Sequence, residues 1–114
     1  MNIIEKSKAD LNMHELYALT MTPEAMKLSG QVGEVIEFSM WAVYEDENAD
    51  GEMQTLLSLV TPEGETYTTN SRTFRDEFMK IVTLSETIGE DFNKVKVVGG
   101  VSKNNREYIT PALA

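Results

Sequence analysis

The sequence predicts a mainly β domain with one internal helix. Apolar and polar residues alternate through residues 32–44, turn-forming Asp-Gly and Pro-Glu-Gly sequences follow, and apolar residues adopt helical spacing after residue 70. Alternation with a period of two is typical of half-buried strands, whereas recurrence at three and four residues indicates an amphipathic helix. A chain of 114 residues has the size of a single domain.

The predicted elements, in chain order, are a helical arm at 1–31, strands at 32–44, 52–61 and 66–69, a helix that begins at 70–71, and strands at 93–98 and 106–113. In the arm, Thr22 followed by Pro23 predicts a helix start, since proline is favoured at the first helical position. Gly89 is expected to end the internal helix, because glycine is the usual residue after a helix C-terminus.

Five strands with a helix between the third and the fourth match the OB-fold, a small Greek-key barrel. We therefore predict an OB-like β-barrel at 32–114, preceded by the arm at 1–31. The long strand at 32–44 is expected to bend and to serve both sheets, with Ile36 and Phe38 on its core face and Trp41 on the other face. Another small α+β barrel or an open sheet is the competing architecture.

The composition excludes several kinds of chemistry. The chain has no cysteine and one histidine, so disulfides, thiolate ligands and multi-histidine zinc sites are excluded. The series from Asp46 to Gly51 begins like a calcium loop, but Leu57 occupies the position where such a loop needs glutamate. We predict no metal site, no cofactor, no catalytic residue and no enzymatic activity.

The net charge of −9 is distributed unevenly along the chain. Residues 1–70 carry three basic and thirteen acidic residues, a net charge of −10, whereas residues 71–114 carry seven basic and six acidic residues, a net charge of +1. Because local charge controls phosphate binding, an acidic protein of this kind can still hold a nucleic acid in a basic groove.

Two stretches carry a resemblance to a known family. They are Glu63-Gly64-Glu65-Thr66-Tyr67 with Asn70-Ser71-Arg72-Thr73, and the segment from Lys94 to Tyr108, which reads KVKVVGGVSKNNREY. Over roughly residues 33–113 the chain resembles the single-stranded DNA-binding proteins of small protein-primed phages of Gram-positive bacteria, and related mobile-element proteins. The resemblance implies a non-catalytic protein that coats and protects single strands during phage DNA replication.

Aromatic and basic residues are the candidate nucleic-acid contacts. Aromatic rings stack on bases and cations meet phosphates in single-strand grooves. The candidates are Trp41, Tyr67, Arg72, Lys94, Lys96, Lys103, Arg106 and Tyr108. Each candidate also has a structural alternative. It is a core position for the aromatic residues, a solvated strand face for Lys94, Lys96, Lys103 and Arg106, and an ion pair with Asp76 or Glu77 for Arg72.

Two other functions remain open. The acidic front half favours a phage-encoded DNA mimic that inhibits a host nucleic-acid enzyme, and the methionine-rich arm favours an assembly protein that self-associates through it. The structural alternative is that the arm covers one end of its own barrel. No apolar run of membrane-spanning length and no basic start followed by an apolar stretch occur, so we expect no membrane partner and a cytoplasmic location. The resemblance implies that this is the cytoplasm of a Gram-positive bacterial host.

Overall fold

The computed structural model describes residues 1–114 and is mostly β, with two sheets and two α-helices. The elements are β1 (Asn2–Lys6), α1 (Met13–Thr20), β2 (Met26–Lys27), a 3-10 turn (Leu28–Gly30), β3 (Val35–Glu37), β4 (Met40–Glu47), β5 (Met53–Val60), β6 (Thr66–Thr69), α2 (Arg72–Ile88), β7 (Lys94–Val101) and β8 (Glu107–Leu113). The strand count is eight where the sequence predicted five, because the arm contributes two strands and strand 32–44 is divided.

The strands form two separate sheets. The five-stranded sheet has the order β1-β4-β5-β6-β2, and the three-stranded sheet has the order β3-β7-β8. All neighbours are antiparallel except β2 and β6, which pair in parallel over two residues. Neither helix combines the length and the apolar character that crossing a bilayer requires.

The chain passes from one sheet to the other at a corner between β3 and β4. The backbone N–H of Phe38 donates to the carbonyl oxygen of Asn93 beside β7, and the N–H of Ser39 donates to that of Val60 at the end of β5, both at 2.8 Å. The Ser39 hydroxyl donates to the same Val60 oxygen at 3.3 Å. Two consecutive residues therefore bond to different sheets.

The corner reverses which alternate residues face the main core. We give this name to the larger buried cluster, which consists of Leu28, Ile36, Phe38, Trp41, Val43, Leu57, Leu59, Phe74, Phe78, Val82, Val95, Val97 and Ile109. Before it, the even-numbered Ile36 and Phe38 lie in this core, and after it the odd-numbered Trp41 and Val43 do. Trp41 is only 7% exposed, and its ring meets Phe78 edge-on with centroids 5.5 Å apart. The predicted placement of Trp41 on a face away from the core is wrong, because the alternation does not continue through the corner.

The N-terminal arm covers the other face of the five-stranded sheet. Leu11 and Leu19 form a second buried cluster with residues from β4 and β5: Met40, Ala42 and Val60. Helix α1 begins with a capping box in which Asn12 and Glu15 bond reciprocally, at 2.9 and 3.0 Å. Both faces of β4 are therefore buried, and the arm packs on its own chain.

The helix that was predicted to begin at Thr22-Pro23 in the arm is absent. After Thr22-Pro23 the chain forms a turn, then β2 and the 3-10 turn. Lys27 of β2 pairs with Thr68 on the edge of β6 that β5 does not occupy. Tertiary pairing therefore prevails over the local helix-start signal.

Helix α2 confirms the predicted internal helix. Ser71 caps it by accepting the N–H of Phe74 at 3.2 Å, and Gly89 ends it in the left-handed conformation with φ +74°. Its buried residues Phe74, Phe78 and Val82 recur every four positions and pack into the main core. Phe78 also contacts the rings of Phe38 and Phe92, at 5.7 and 5.6 Å between centroids.

We expect Phe78→Ala to lower the free energy of unfolding by about 3–5 kcal/mol, because the fully buried ring leaves a cavity among three other aromatic rings. Leu84→Ala is the matched control on an exposed turn of the same helix and should change it by less than about 1 kcal/mol. Urea denaturation measures both. Equal effects would show that α2 is not anchored through Phe78.

Candidate functional site

An open groove of about 940 Å³ lies between the β7–β8 hairpin and the β5–β6 part of the five-stranded sheet. Its walls combine hydroxyl, amide and apolar groups. The lining residues are Lys27, Ser29, Val32, Gln54, Leu56, Thr68, Thr69, Asn70, Ser71, Gly99, Gly100, Val101, Glu107, Tyr108 and Ile109. We call this feature the groove.

The groove exists because the two sheets are joined on one side only. They meet at the Phe38–Ser39 corner, whereas no strand ladder connects β6 with β8. The free edge of β6 is covered by β2 over only two residues, at Tyr67 and Thr68. The ends of β6 and β8 therefore face an open space rather than each other.

Tyr108 is the one aromatic residue that lines the groove. It stands opposite Gly100 in the β7–β8 ladder, and its ring lies directly over this glycine. A Cβ atom at position 100 would overlap the ring carbon Cζ, so no other residue permits this ring position without a shift. The ring remains 41% exposed and is accessible to a ligand.

Basic residues border the groove although the protein as a whole is acidic. Lys27 is the only basic and Glu107 the only acidic lining residue. Arg72 follows the lining residue Ser71, and Arg106 precedes Glu107 in the hairpin turn that also holds Lys103. These four basic residues are exposed, and only Arg72 forms an ion pair, to Asp76 at 3.5 Å on the surface, where such pairs are weak.

The N-terminus of α2 opens onto the groove. Asn70 and Ser71 line it, and the first turn of the helix contains no acidic residue. The free N–H groups and the dipole of a helix N-terminus favour an anion. This preference is opposed from the neighbouring strand. The Gln54 side chain accepts a hydrogen bond from the Asn70 amide at 3.5 Å, and Gln54 pairs in the β4–β5 ladder with Asp46 near the acidic β4–β5 turn.

The structure separates the basic residues that the sequence grouped together. Lys103 and Arg106 lie at the hairpin tip, whereas Lys94 and Lys96 lie at the far end of β7. Along this strand, Lys94 is about 23 Å from Val101, the last residue before the tip. Across β3, Lys94 pairs with Glu37 and Lys96 with Val35, on the exposed face of the three-stranded sheet. Neither lysine lines the groove.

Two of the predicted aromatic contacts do not lie in the groove. Trp41 belongs to the main core, as described above. Tyr67 is half-buried against the same core, and burial, with smaller contributions from the carboxylates of Glu65 and Glu34, raises the pKa of its hydroxyl. The same carboxylates repel phosphate, so Tyr67 is poorly placed to contact a nucleic acid.

The sequence did not indicate most of the groove lining, including Lys27, Gln54 and Thr68. One signal was present: counting outward from Asn104 places Gly100 opposite Tyr108, and this is the observed register. A glycine facing an aromatic residue across a hairpin marks a site where the ring can lie over the backbone.

Comparisons with protein-family models, curated proteins and solved structures found no match to this chain.

We expect Gly100→Ala to displace the ring of Tyr108 while the hairpin stays paired, since the three atoms nearest to the added methyl group all belong to the Tyr108 side chain. NMR shifts of the Tyr108 ring protons, together with their cross-relaxation to residue 100, measure the displacement. Gly30→Ala is the control, because its methyl group meets nothing within 4 Å. Unchanged Tyr108 shifts in Gly100→Ala would contradict the contact.

Proposed function

We propose that this chain is a non-catalytic protein that binds single-stranded DNA in the groove, with little sequence preference. The observation that carries the proposal is an accessible aromatic ring, Tyr108, in an open groove that is bordered by Lys27, Arg72, Lys103 and Arg106 in a protein of net charge −9. Sequence-independent single-strand sites combine stacking rings with a basic track for the backbone.

We further infer that the two sheets form an OB-type barrel. In this assignment the bent β3–β4 segment is the first strand, β5 and β6 are the second and third, and β7 and β8 are the fourth and fifth. The antiparallel pairing of β3 with β7 and the position of α2 before β7 support it. OB-folds bind oligonucleotides on the face of strands two and three, beside the loop between strands four and five, and the groove lies between the corresponding elements.

The lining of the groove suits sequence-tolerant binding. Stacking on Tyr108 is open to every base, since every base has a π-face. Polar side chains such as Gln54, Thr68 and Asn70 are neutral and adaptable donors and acceptors. No paired set of charged side chains that would select one base lines the groove, where Lys27 and Glu107 are the only charges.

A bound strand has a path beyond the groove. Alternate residues of a strand share one face, so Gly100, beneath the Tyr108 ring, shares a face of β7 with Lys96 and Lys94. In the proposal a strand leaves the groove over Tyr108 and follows this exposed face, where the two lysines meet its phosphates. The function we infer is to coat and protect single strands during phage DNA replication in the cytoplasm of a bacterial host.

The arm exposes an apolar surface that suits contact with neighbouring copies of the chain. Its apolar residues Met13, Tyr17 and Met21 are exposed, and they recur at intervals of four along and just beyond α1. Self-association through this surface is compatible with coating a strand.

We expect Tyr108→Ala to weaken binding to fluorescently labelled oligo-dT by about 1–3 kcal/mol, the contribution of one stacked base. Fluorescence anisotropy of the oligonucleotide measures the dissociation constant. Ile4→Ala removes an exposed apolar side chain of β1, outside both the groove and the surface of Met13, Tyr17 and Met21, and serves as the control that should bind as the unmodified protein does. Equal losses in the two variants would contradict a role for Tyr108.

A DNA mimic is the second candidate, and one observation favours it. The β4–β5 hairpin end carries five acidic residues without an ion pair: Glu45, Asp46, Glu47, Asp50 and Glu52. A mimic would not bind oligo-dT even at low salt, and it would bind a basic nucleic-acid enzyme in a salt-sensitive manner. That pair of results would replace the first proposal with the second.

A further inference from the structure

A second concavity, of about 250 Å³, lies at the C-terminal end of α2. We call it the apolar pocket. Leu84 and Ile88 of α2 and Leu113 of β8 line it and are 53%, 58% and 60% exposed, while Ile81 and Phe92 are half-buried against the main core. Three large aliphatic side chains are thus more than half exposed around one depression.

Uncompensated negative charge surrounds the apolar pocket. Glu90 and Asp91 line it, and Glu86 precedes them on the last turn of α2. All three are exposed, none forms an ion pair, and the last turn contains no basic residue. The carbonyl end of a helix is itself negative, so carboxylates here add to the unfavourable potential that a cation would relieve.

We propose that the apolar pocket is the docking site for a short basic segment of a partner protein that carries an aliphatic anchor side chain. The volume suits one or two aliphatic side chains, since pockets for whole small-molecule ligands begin near roughly 300 Å³. The anchor fills the space between Leu84, Ile88 and Leu113, and the basic residues beside it face Glu90 and Asp91. Apolar contact supplies affinity, and charge complementarity selects the partner.

The charge of the chain argues against other occupants. A nucleic acid is repelled by the same carboxylates that attract a basic segment. A second copy of this chain brings a net charge of −9 toward an acidic surface, which opposes association. A basic partner segment is the occupant that gains from both the apolar lining and the acidic rim.

The apolar pocket and the groove lie at opposite ends of α2. Ser71, at the N-terminus of the helix, lines the groove, and Ile88, at its C-terminus, lines the apolar pocket, about 25 Å apart along 17 residues. The two sites share no lining residue. The docking site therefore does not depend on the groove's binding DNA.

The test is an NMR titration of the full ¹⁵N-labelled chain with an end-blocked hexapeptide in which two leucines are flanked by two basic residues on each side. We expect amide shift changes at residues 84–93 and at Leu113. An acidic hexapeptide with the same two leucines should produce none. Leu84→Ala should weaken binding several-fold, because it removes part of the apolar lining.

Charge reversal at two places provides the matched control. Glu90→Lys with Asp91→Lys should weaken peptide binding by about tenfold or more. Glu47→Lys with Asp50→Lys changes the net charge by the same amount, from −9 to about −5 by charge counting, at exposed positions of the β4–β5 hairpin. This variant should bind the peptide with a dissociation constant within twofold of that of the unmodified protein.

Several results would overturn the proposal. The basic peptide could produce no shift changes, or the acidic peptide could produce equal ones. The two charge reversals could also weaken peptide binding equally, which would indicate unspecific attraction. Self-association that sedimentation detects and Leu84→Ala abolishes would assign the apolar pocket to a second copy of the chain instead.

Discussion

The structure depends on one pair of backbone hydrogen bonds at the corner between β3 and β4. The N–H groups of Phe38 and Ser39 donate to Asn93 and Val60, so two consecutive residues tie the two sheets together. Because a strand alternates its side chains, the corner allows Ile36 and Trp41, which have opposite parity, to enter the same core. The sheets can then diverge from this corner while aromatic residues of α2 fill the space between them.

The divergence of the sheets positions both surface sites. On the side away from the corner no ladder joins β6 to β8, and the groove occupies that opening. Helix α2 spans the molecule from the groove to the apolar pocket, with its positive end at Ser71 and its negative end at Ile88. A protein with a net charge of −9 thereby presents a surface that suits an anion at one end of the helix and a surface that suits a cation at the other.

Local signals in the sequence predicted the elements that follow the corner but not the consequences of the corner itself. Ser71 and Gly89 delimit α2 as expected, and the predicted strands at 52–61 and 66–69 correspond to β5 and β6. Trp41 was misplaced because the alternation from 32 to 44 is continuous in the sequence and interrupted in space. The groove was not predicted for a similar reason, because Lys27, Gln54 and Thr68 come together only through the parallel pairing of β2 with β6 and the fold of the β7–β8 hairpin. Tyr108 was recognised because it is an aromatic residue close behind Arg106 and the preceding turn.

The most direct test of the groove as the single-strand site is an amide-resolved NMR titration of the full chain with unlabelled oligo-dT. We expect shift changes at Lys27, at residues 68–71 and at residues 99–109, which line or border the groove, and also at Lys96 and Lys94 along the exposed face of β7. The indole N–H of Trp41 should keep its shift, because it is buried in the main core. Shift changes confined to the Lys94 and Lys96 end of β7, or a large change at Trp41 with the groove amides unmoved, would contradict the assignment of the groove as the single-strand site.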